Sequence, residues 1–588
     1  MRTFFPIVIF SYVLFLQCYS YQTASTNEVY MGPFVNRQTV VQNILNEIHN
    51  VSSNLSICKK CEFVAKTVLT YRRNGANRET MASLFADMCY ELKGYTRSVC
   101  RSLSNIQTDV FLYIIDNTHV NAEEVCGTYF QKDGCINSRA KKWVIDIPPE
   151  NNDGNEHEET IVHYDPLKII QITDVHYDPS YKEGSNAKCE LPLCCEEQNG
   201  IPTNPSDAAG MFGDYRTCDM PRKAILNLLN EIRTSQRDID YIYFTGDIIA
   251  HNDWETSKMS NLKTIKEFYD YIFQHFPNIS VYPILGNHEA YPCNLYSPLN
   301  ISESSKNSIG TRWLFDAVAE YWSKWLPKSA LETIKIGGFY TTLVRQGFRI
   351  IALNSNVCFT ENYWLIYDDE DPYGQLKWLV KILSEAEKNK EKVHILSHIP
   401  SGEANCHKQW QYNFNRIVQR FSKTISAHFN GHTHVDELRL YKNGSNPNQV
   451  INVAYNGGSF TTFIGLNPDY RVYDIDPQNL MVLDFHQYTF NLSLANTGNQ
   501  HQPEWYQLYS FKKAYNLDNL SYDNLNKFYE NLMSDRKLAE QYVQYHVRNS
   551  EFAFDHGCNE TCIQSQVCHI TAITAEDSIK CGIYNIFS

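Results

Sequence analysis

The sequence predicts an α+β protein of several domains: a cysteine-rich helical unit, a layered α/β unit and a mainly helical C-terminal region. Apolar residues recur at helical spacing between residues 58 and 114. From residue 167 that period gives way to short apolar runs separated by longer segments. A last helical stripe and four cysteines follow residue 491. We therefore expect domains at residues 54–140, 167–490 and 491–588.

The first residues predict export from the cytoplasm. Met1 and Arg2 precede an apolar run at residues 4–16 and then the small or polar residues Cys18 and Ser20, which is typical of a signal peptide over residues 1–20. The chain has 18 cysteines, which an oxidising compartment permits. No later segment reaches the roughly 20 apolar residues that span a bilayer. We expect a secreted or lysosomal protein.

Eight Asn-x-Ser/Thr acceptor sites for N-glycosylation agree with export. These are Asn50, Asn54, Asn278, Asn300, Asn443, Asn491, Asn519 and Asn559.

The net charge of −14 argues against binding to nucleic acid, which needs clustered lysine and arginine. It also disfavours an anionic membrane at neutral pH. Protonation of the 19 histidines in an acidic compartment would more than cancel this charge, so the surface would then tolerate a membrane.

The helical unit follows an N-terminal segment, residues 21–53, which shows no strong periodicity and which we interpret as a capping or mobile segment. Three amphipathic helices and six cysteines follow in the unit. The cysteine spacing and the helical pattern resemble a saposin B-type domain. That resemblance implies an apolar inner face that contacts lipid, and it implies the pairs Cys58–Cys135, Cys61–Cys126 and Cys89–Cys100. The alternative is a helical mini-domain that only packs on its neighbour.

Residues 141–166 have the composition of a linker. They contain Pro148-Pro149 and a run of Asn, Asp, Gly, Glu and His, which is poor in core-forming residues. We expect this segment to be solvated and to carry no chemistry.

In the α/β unit, several strand-like runs end in polar residues of the kinds that bind metals. The run at residues 281–285 ends in Gly286-Asn287-His288-Glu289, and such a pattern on its own is more often a turn than a site. Four other runs end in the same way, at residues 168–173, 241–245, 393–396 and 425–429. A further run, at residues 349–353, ends without a strong ligand. Open α/β sheets place their sites at such strand ends.

Seven side chains at these ends supply the imidazole, carboxylate and amide groups that suit zinc or a similar divalent ion. They are Asp174, His176, Asp247, Asn287, His398, His432 and His434. Seven ligands are too many for one tetrahedral ion, whereas two Zn²⁺ ions that share a carboxylate account for them. One such ion lowers the pKa of water from about 15.7 to about 7, so the pair would activate a water nucleophile.

The ordered motifs resemble the calcineurin-like binuclear metallophosphoesterases, whose α/β sandwich has two sheets flanked by helices. The resemblance implies that Asp174, His176, Asp247 and His434 bind one ion. It implies that Asp247, Asn287, His398 and His432 bind the other, with Asp247 as the bridge. His288 is then a catalytic residue that contacts the phosphoryl oxygens and helps to protonate the leaving group. The sequence indicates no role for Glu289.

Further features resemble the acid sphingomyelinase family, namely the saposin-like unit, the segments at residues 246–251 and 464–473, and the last four cysteines. This resemblance implies zinc-dependent hydrolysis of sphingomyelin to ceramide and phosphocholine by attack of activated water on phosphorus, with His251 and His288 as candidate leaving-group acids. It also implies five disulfides: Cys189–Cys194, Cys195–Cys218, Cys358–Cys406, Cys558–Cys562 and Cys568–Cys581.

Cys293 is left over and departs from the family pattern. It is either inert and buried or a thiol that affects metal loading. The acidic linker also departs from the family, in which the linker is proline-rich.

Two other functions stay open: a related phosphodiesterase that acts on nucleotides or other soluble diesters, and a non-catalytic lipid-binding protein. For the leading hypothesis we expect a monomer that contacts the membrane peripherally through the saposin-like unit and takes membrane sphingomyelin as its substrate.

Overall fold

The computed structural model describes residues 36–50, 56–150, 165–301, 309–497, 502–554 and 558–582. The predicted signal peptide, residues 21–35, the acceptor Asn54 and residues 151–164 of the linker lie outside the described residues. Within the described ranges no helix is long and apolar enough to cross a membrane.

The N-terminal part of the chain is helical. Its helices are α1 (Arg37–Asn50), α2 (Ile57–Arg73), α3 (Arg78–Lys93), α4 (Arg97–Asn117) and α5 (Ala122–Tyr129). Helix α1 lies in a segment that shows no clear period in the sequence; there Val40 and Ile44 are buried against the other helices. Cys58–Cys135 and Cys61–Cys126 tie the start of α2 to the region of α5, and Cys89–Cys100 joins α3 to α4. The predicted pairing is confirmed.

Two six-stranded sheets form the centre of the molecule, as the predicted sandwich requires. The first has the order β12-β11-β10-β1-β2-β3 and the second the order β4-β5-β6-β7-β9-β8. The strands are β1 (Leu167–Ile172), β2 (Tyr241–Phe244), β3 (Ser280–Pro283), β4 (Tyr340–Arg345), β5 (Phe348–Ala352), β6 (Lys392–Leu396), β7 (Ile425–Asn430), β8 (Asp436–Asn443), β9 (Asn446–Gly457), β10 (Asp469–Ile475), β11 (Val482–Thr489) and β12 (Tyr506–Ser510).

Parallel pairing sets the direction of the strands that matter most. Strands β1, β2 and β3 are parallel neighbours in the first sheet, and β5, β6 and β7 are parallel neighbours in the second. The carboxyl ends of each set therefore point to one edge of their sheet.

Helices cover both sheets. In the α/β region they are α6 (Arg222–Ser235), α7 (Lys258–His275), α8 (Arg312–Trp322), α9 (Lys328–Gly337), α10 (Trp364–Tyr367), α11 (Gln375–Lys388) and α12 (Lys408–Arg420). After β11 they are α13 (Leu492–Thr497), α14 (Phe511–Ala514), α15 (Tyr522–Ser534), α16 (Arg536–His546), α17 (Glu551–Phe554), α18 (Glu560–His569) and α19 (Ala575–Cys581). Strand β12 belongs to this C-terminal region and pairs with β11, so the region also extends the first sheet. The domain boundaries given above stay predictions.

Aromatic side chains fill the space between the sheets. The ring of Phe429 on β7 lies 5.1 Å from that of Tyr243 on β2 and 4.9 Å from that of Tyr473 on β10, measured between centroids. A buried ion pair between Arg471 on β10 and Asp436 on β8 also crosses from one sheet to the other. Packing and charge thus fix the two sheets relative to each other.

The start of the linker is not solvated, so the prediction is wrong for this part. Trp143 and Ile145 are buried. The backbone N–H of Ile145 donates to the side-chain oxygen of Asn413 on α12 (2.8 Å), and Asn413 donates in return to the carbonyl of Trp143 (3.1 Å). Two apolar side chains in a polar run are enough to attach the start of the linker, residues 143–145, to α12. We call these residues the strap.

The helical unit packs against the α/β unit. The ring of Phe111 on α4 stacks on Tyr363 next to α10 with 4.4 Å between centroids. Gln131 donates to the carbonyl of Cys406 (2.9 Å) and accepts from the N–H of Lys408 (2.8 Å).

All five disulfides predicted for the rest of the chain are present, and Cys293 is the free, buried cysteine of the part described.

Candidate metal centre

The seven predicted ligands lie in loops that directly follow five strands. Strands β1, β2 and β3 carry them in the first sheet, and β6 and β7 carry them in the second. Because these strand ends meet at one edge of the sandwich, the loops from both sheets converge. The structure brings all seven side chains into two groups of close ligand atoms that have Asp247 in common.

The first group contains Asp174, His176, Asp247 and His434. The Nε2 atoms of His176 and His434 are 3.1 Å apart. Oδ2 of Asp247 lies 3.5 Å from Nε2 of His176, and Oδ1 of Asp174 lies 3.5 Å from Nε2 of His434. A tetrahedral ion with bonds of about 2.1 Å holds its ligand atoms about 3.4 Å apart. These distances fit one ion.

The second group contains Asp247, Asn287, His398 and His432. Nε2 of His398 lies 3.2 Å from Oδ2 of Asp247 and 3.0 Å from Oδ1 of Asn287. Nδ1 of His432 is also 3.0 Å from Oδ1 of Asn287. The same oxygen of Asp247 therefore faces both groups, as a bridging ligand would.

The hydrogen-bond partners of three histidines indicate that these groups suit a cation. Nδ1 of His176 donates to the carbonyl of Ile249 (2.7 Å), and Nδ1 of His398 donates to that of Thr245 (2.7 Å). Nδ1 of His434 faces the carbonyl of Phe463 at 3.4 Å. A proton on each Nδ1 leaves a lone pair on each Nε2. Lone pairs and carboxylate oxygens then face one another with no proton between them, which is favourable only around a cation. The residues fit a two-metal centre.

The pKa values of the ligands follow from burial and from their mutual charges. Burial raises the pKa of Asp174 to about 7. Burial lowers the pKa of His398, but the carboxylates of Asp247 and Asp174 and the carbonyl of Thr245 together raise it, to a net value of about 9. Burial lowers the pKa of His432 to about 3. In the absence of ions, protons on Asp174 and His398 would thus replace part of the missing positive charge.

Close approach of the loops requires glycine at two positions. A Cβ atom on Gly286 would lie 2.0 Å from Oδ1 of Asp247, and one on Gly431 would lie 2.5 Å from Oδ2 of Asp174. Gly286 is therefore needed for space beside the shared carboxylate.

Glu289, for which the sequence indicated no role, holds two ligand loops together. Its carboxyl group accepts hydrogen bonds from the backbone N–H groups of Gly286 (2.6 Å), Asp247 (3.3 Å) and Ile248. The loops after β2 and β3 are thereby fixed to each other. Burial, followed by the charge of Asp247, raises the pKa of Glu289 to about 8.

The two predicted acids, His251 and His288, lie side by side next to the first group. Their ring centroids are 4.6 Å apart, and His251 stacks on His176 at 4.0 Å. Nδ1 of His251 is 2.9 Å from Oδ2 of Asp219, and Nδ1 of His288 is 3.6 Å from Oδ1 of Asp253. Each imidazole therefore has a carboxylate behind it.

The two histidines differ in their affinity for protons. Burial lowers the pKa of His251, but Asp219 raises it to a net value above that of a free histidine. Burial lowers the pKa of His288, and this effect prevails. The sequence did not indicate Asp219 or Asp253, because neither comes directly after a strand of the parallel set.

Comparisons with known proteins agree with this geometry. The family model described as calcineurin-like phosphoesterase matches residues 167–436, which contain all seven predicted ligands. The model described as acid sphingomyelin phosphodiesterase C-terminal region matches residues 451–584. The first match shows that the centre is a dinuclear metal site and that the sandwich is the calcineurin-like fold.

Three relatives span most of the chain. The sphingomyelin phosphodiesterase of Bos taurus is 35% identical over 467 residues, which are 79% of this chain and 73% of that protein. Sphingomyelin phosphodiesterase 1 of Caenorhabditis elegans is 32% identical over 498 residues, 83% of this chain and 86% of that protein. The cyclic GMP-AMP phosphodiesterase SMPDL3A of Rattus norvegicus is 29% identical over 431 residues, 70% of this chain and 91% of that protein.

The contacts of Glu289 lead to a first prediction. Glu289→Ala removes the acceptor of three backbone N–H groups, so the ligands on two loops lose their fixed positions. We expect metal affinity and phosphodiesterase activity to fall about 10- to 100-fold, as is typical for groups that orient metal ligands. Metal content per purified chain and initial rates measure this effect.

The control is Glu391→Ala. Glu391 is also buried and is bound to Arg349 (2.6 Å), but it precedes β6, at the opposite end of the strand from the ligands. This variant should lose thermal stability and keep its metal. Full metal content and full activity in Glu289→Ala would contradict the role of Glu289.

Proposed function

The chain belongs to the acid sphingomyelin phosphodiesterase family, and we propose that it hydrolyses sphingomyelin to ceramide and phosphocholine in a zinc-dependent reaction. That the chain is a phosphodiester hydrolase follows from the family matches and from the dinuclear site. The 35% identity to the bovine sphingomyelin phosphodiesterase over 467 residues, together with the family match of the C-terminal region, is the observation that supports this substrate.

The donor set supports zinc. Four imidazoles, two carboxylates and one amide oxygen form the mixture that zinc accepts, and the hydrogen bonds from imidazole Nδ1 to backbone carbonyls are typical of zinc-bound histidine. One ion would be held by Asp174, His176 and His434. The other would be held by Asn287, His398 and His432, and Asp247 would bind both ions. When bound, two zinc ions polarise a phosphoryl oxygen and lower the pKa of water so that it attacks phosphorus.

His251 and His288 are proposed to handle the proton of the leaving group. Departure of the ceramide oxygen requires a proton, and a positioned acid contributes typically 10²–10⁴-fold. Asp219 raises the pKa of His251, which supports a protonated His251 in mildly acidic solution. His288, with its lower pKa, releases a proton more readily once it is protonated.

The helical unit at residues 54–140 is proposed to present the membrane lipid. Its disulfide framework is the one that the saposin B-type resemblance implies. Val99 and Leu103 on α4 pack with Leu193, Ala250 and Trp254, close to His251. A unit that contacts lipid would there lie at the rim of the metal centre.

The eight disulfides fit a secreted or lysosomal protein. We propose that it acts as a monomer that binds membranes peripherally. One specific observation favours a second candidate function: the relative in Rattus norvegicus is a cyclic GMP-AMP phosphodiesterase, so a nucleotide diester is the alternative substrate.

A comparison of substrates tests the proposal. Zinc-loaded full-length protein is given sphingomyelin in vesicles, sphingomyelin in detergent, phosphatidylcholine and a soluble nucleotide diester, at acidic and at neutral pH. We expect sphingomyelin to be hydrolysed with the highest kcat/KM. A higher kcat/KM for the nucleotide diester would establish the alternative.

The role of the helical unit is tested by replacing residues 1–146 with a plain signal peptide. The shortened protein should still hydrolyse the soluble diester, which serves as the control for folding, and it should lose activity on vesicles. Full activity on vesicles would show that the unit does not present lipid.

Asp247→Asn is expected to abolish activity while the protein is still secreted. An amide oxygen is a neutral and weaker ligand, so the shared position would no longer hold two ions. Rates should fall by more than about 10³-fold, because both the nucleophile and the positioned phosphate depend on the pair. Asp240→Asn, at an exposed carboxylate before β2, is the control. Wild-type turnover in Asp247→Asn would exclude the bridging role.

Activity should fail in strong acid, and added zinc should move this limit to lower pH. Without ions, Asp174 carries a proton below about pH 7 and His398 below about pH 9. Ions must displace these protons, so metal affinity decreases as the pH falls below 7. Rates measured across the acid range at several zinc concentrations test this expectation. An acid limit that does not shift with the zinc concentration would show that protonation of other groups causes the loss of activity.

A further inference from the structure

A third group of metal-binding side chains lies beside the two already described. It consists of Cys293, His288 and Asp253. Sγ of Cys293 and Oδ1 of Asp253 each lie 3.6 Å from Nδ1 of His288. All three residues are more than nine-tenths buried, with exposed fractions of 9% for Cys293, 4% for His288 and 8% for Asp253.

The spacing is that of ligands around a single ion. An ion with bonds of about 2.3 Å to sulfur and about 2.0–2.1 Å to nitrogen and oxygen keeps these atoms about 3.4–3.6 Å apart. The thiol has no disulfide partner, although the other 16 cysteines of the described part of the chain are paired. Thiolate, imidazole and carboxylate together favour a thiophilic divalent ion.

We propose that Cys293, His288 and Asp253 bind a third divalent ion of the Zn²⁺ or Cd²⁺ class, and that this ion inhibits the enzyme. Binding releases the thiol proton to solvent, and the proton on Nδ1 of His288 moves to Nε2. The ion then forms one bond to sulfur, one to nitrogen and one to oxygen, with water free to complete its coordination.

The third ion acts by occupying Nδ1 of His288. A ring that binds an ion through Nδ1 cannot carry protons on both nitrogens, so it can no longer serve as an imidazolium acid. The leaving oxygen then lacks one of its two proposed proton donors. This consequence, unlike the binding itself, rests on the role proposed for His288.

The third site is weaker than the dinuclear centre. Another divalent charge close to two others is repelled, and the site has three protein ligands. Zinc at low concentration therefore activates the enzyme by filling the dinuclear centre, and zinc in excess inhibits it by filling the third site.

The experiment uses the full-length protein loaded with two zinc ions and titrated with Cd²⁺ or Zn²⁺. Equilibrium dialysis counts the ions, the thiolate-to-cadmium absorption band reports on Cys293, and initial rates report on inhibition. The wild type should bind a third ion, show the band and lose activity at least about tenfold at saturation. Cys293→Ala should bind two ions only, show no band and lose the inhibition by excess metal.

A second variant and a control keep the outcome clear. Cys293→Ser preserves the size of the side chain and should weaken the third site, which guards against misfolding of the alanine variant. His486→Gln removes a half-buried histidine on β11 that pairs with Asp474 on β10 (2.9 Å), and it should leave metal binding and inhibition unchanged.

Three results would contradict the proposal. If the wild type binds two ions without a thiolate band, or if Cys293→Ala is inhibited as strongly as the wild type, the third site does not exist. If a third ion binds through Cys293 and the rate stays constant, the proposal that this ion inhibits the enzyme is wrong. The assignment of His288 as a leaving-group acid is then wrong as well. The binding results do not depend on the substrate, so they stay separate from a failure of the proposed function.

Discussion

The structure depends on one constraint: the oxygen and nitrogen acceptor atoms of the two groups lie close together, an arrangement that is stable only around a cation. Five of the seven ligand positions, all of them non-glycine residues, have a left-handed backbone. These are Asp174, His176, Asp247, His432 and His434. Such conformations cost about 1–2 kcal/mol each, and they persist only where the surroundings impose them. The loops that carry the predicted ligands therefore fit two bound ions, whose attraction would offset both the strain and the repulsion between the acceptor atoms.

The sandwich supplies the rigidity that this strain requires. Strands from both sheets deliver ligands, so any slip between the sheets would separate His398 and His432 from Asp247. The aromatic core and the pair of Arg471 with Asp436 oppose such a slip. The C-terminal region adds a further restraint, because Arg548, which is buried, donates to the carbonyl of His434 (2.6 Å). Residues more than 100 positions away from a ligand thus help to fix its backbone.

The sequence predicted those parts of the site that a strand presents directly. A side chain that follows a short apolar run is visible in sequence, and all seven predicted ligands were identified in this way. The sequence did not indicate the contacts of Glu289, Asp219 and Asp253, because each of these residues contacts a group on another loop. The periodicity of apolar residues in the sequence carries no information about such contacts. The same reason explains the strap. Trp143 and Ile145 are two apolar residues in a polar segment, and they are buried through contacts with distant parts of the chain, among them α12. Helix α1 is a similar case, because its apolar side chains become part of a core only where they pack with residues of α2 and α3.

The contact between α4 and the segment after β2 connects the two proposed halves of the function. The side chain of Ser102 donates to the carbonyl of Trp254, and Val99 and Leu103 pack against that same segment. Three residues before Trp254 stands His251, whose ring is held between His176 and Phe463. A displacement of α4 relative to the sandwich would change the packing around Trp254 before it changed the metal ligands, which are fixed by the strands. A movement of the helical unit would therefore affect His251, the proposed proton donor, more than it would affect the metal centre. Contact of that unit with lipid would then change leaving-group protonation before it changed metal binding.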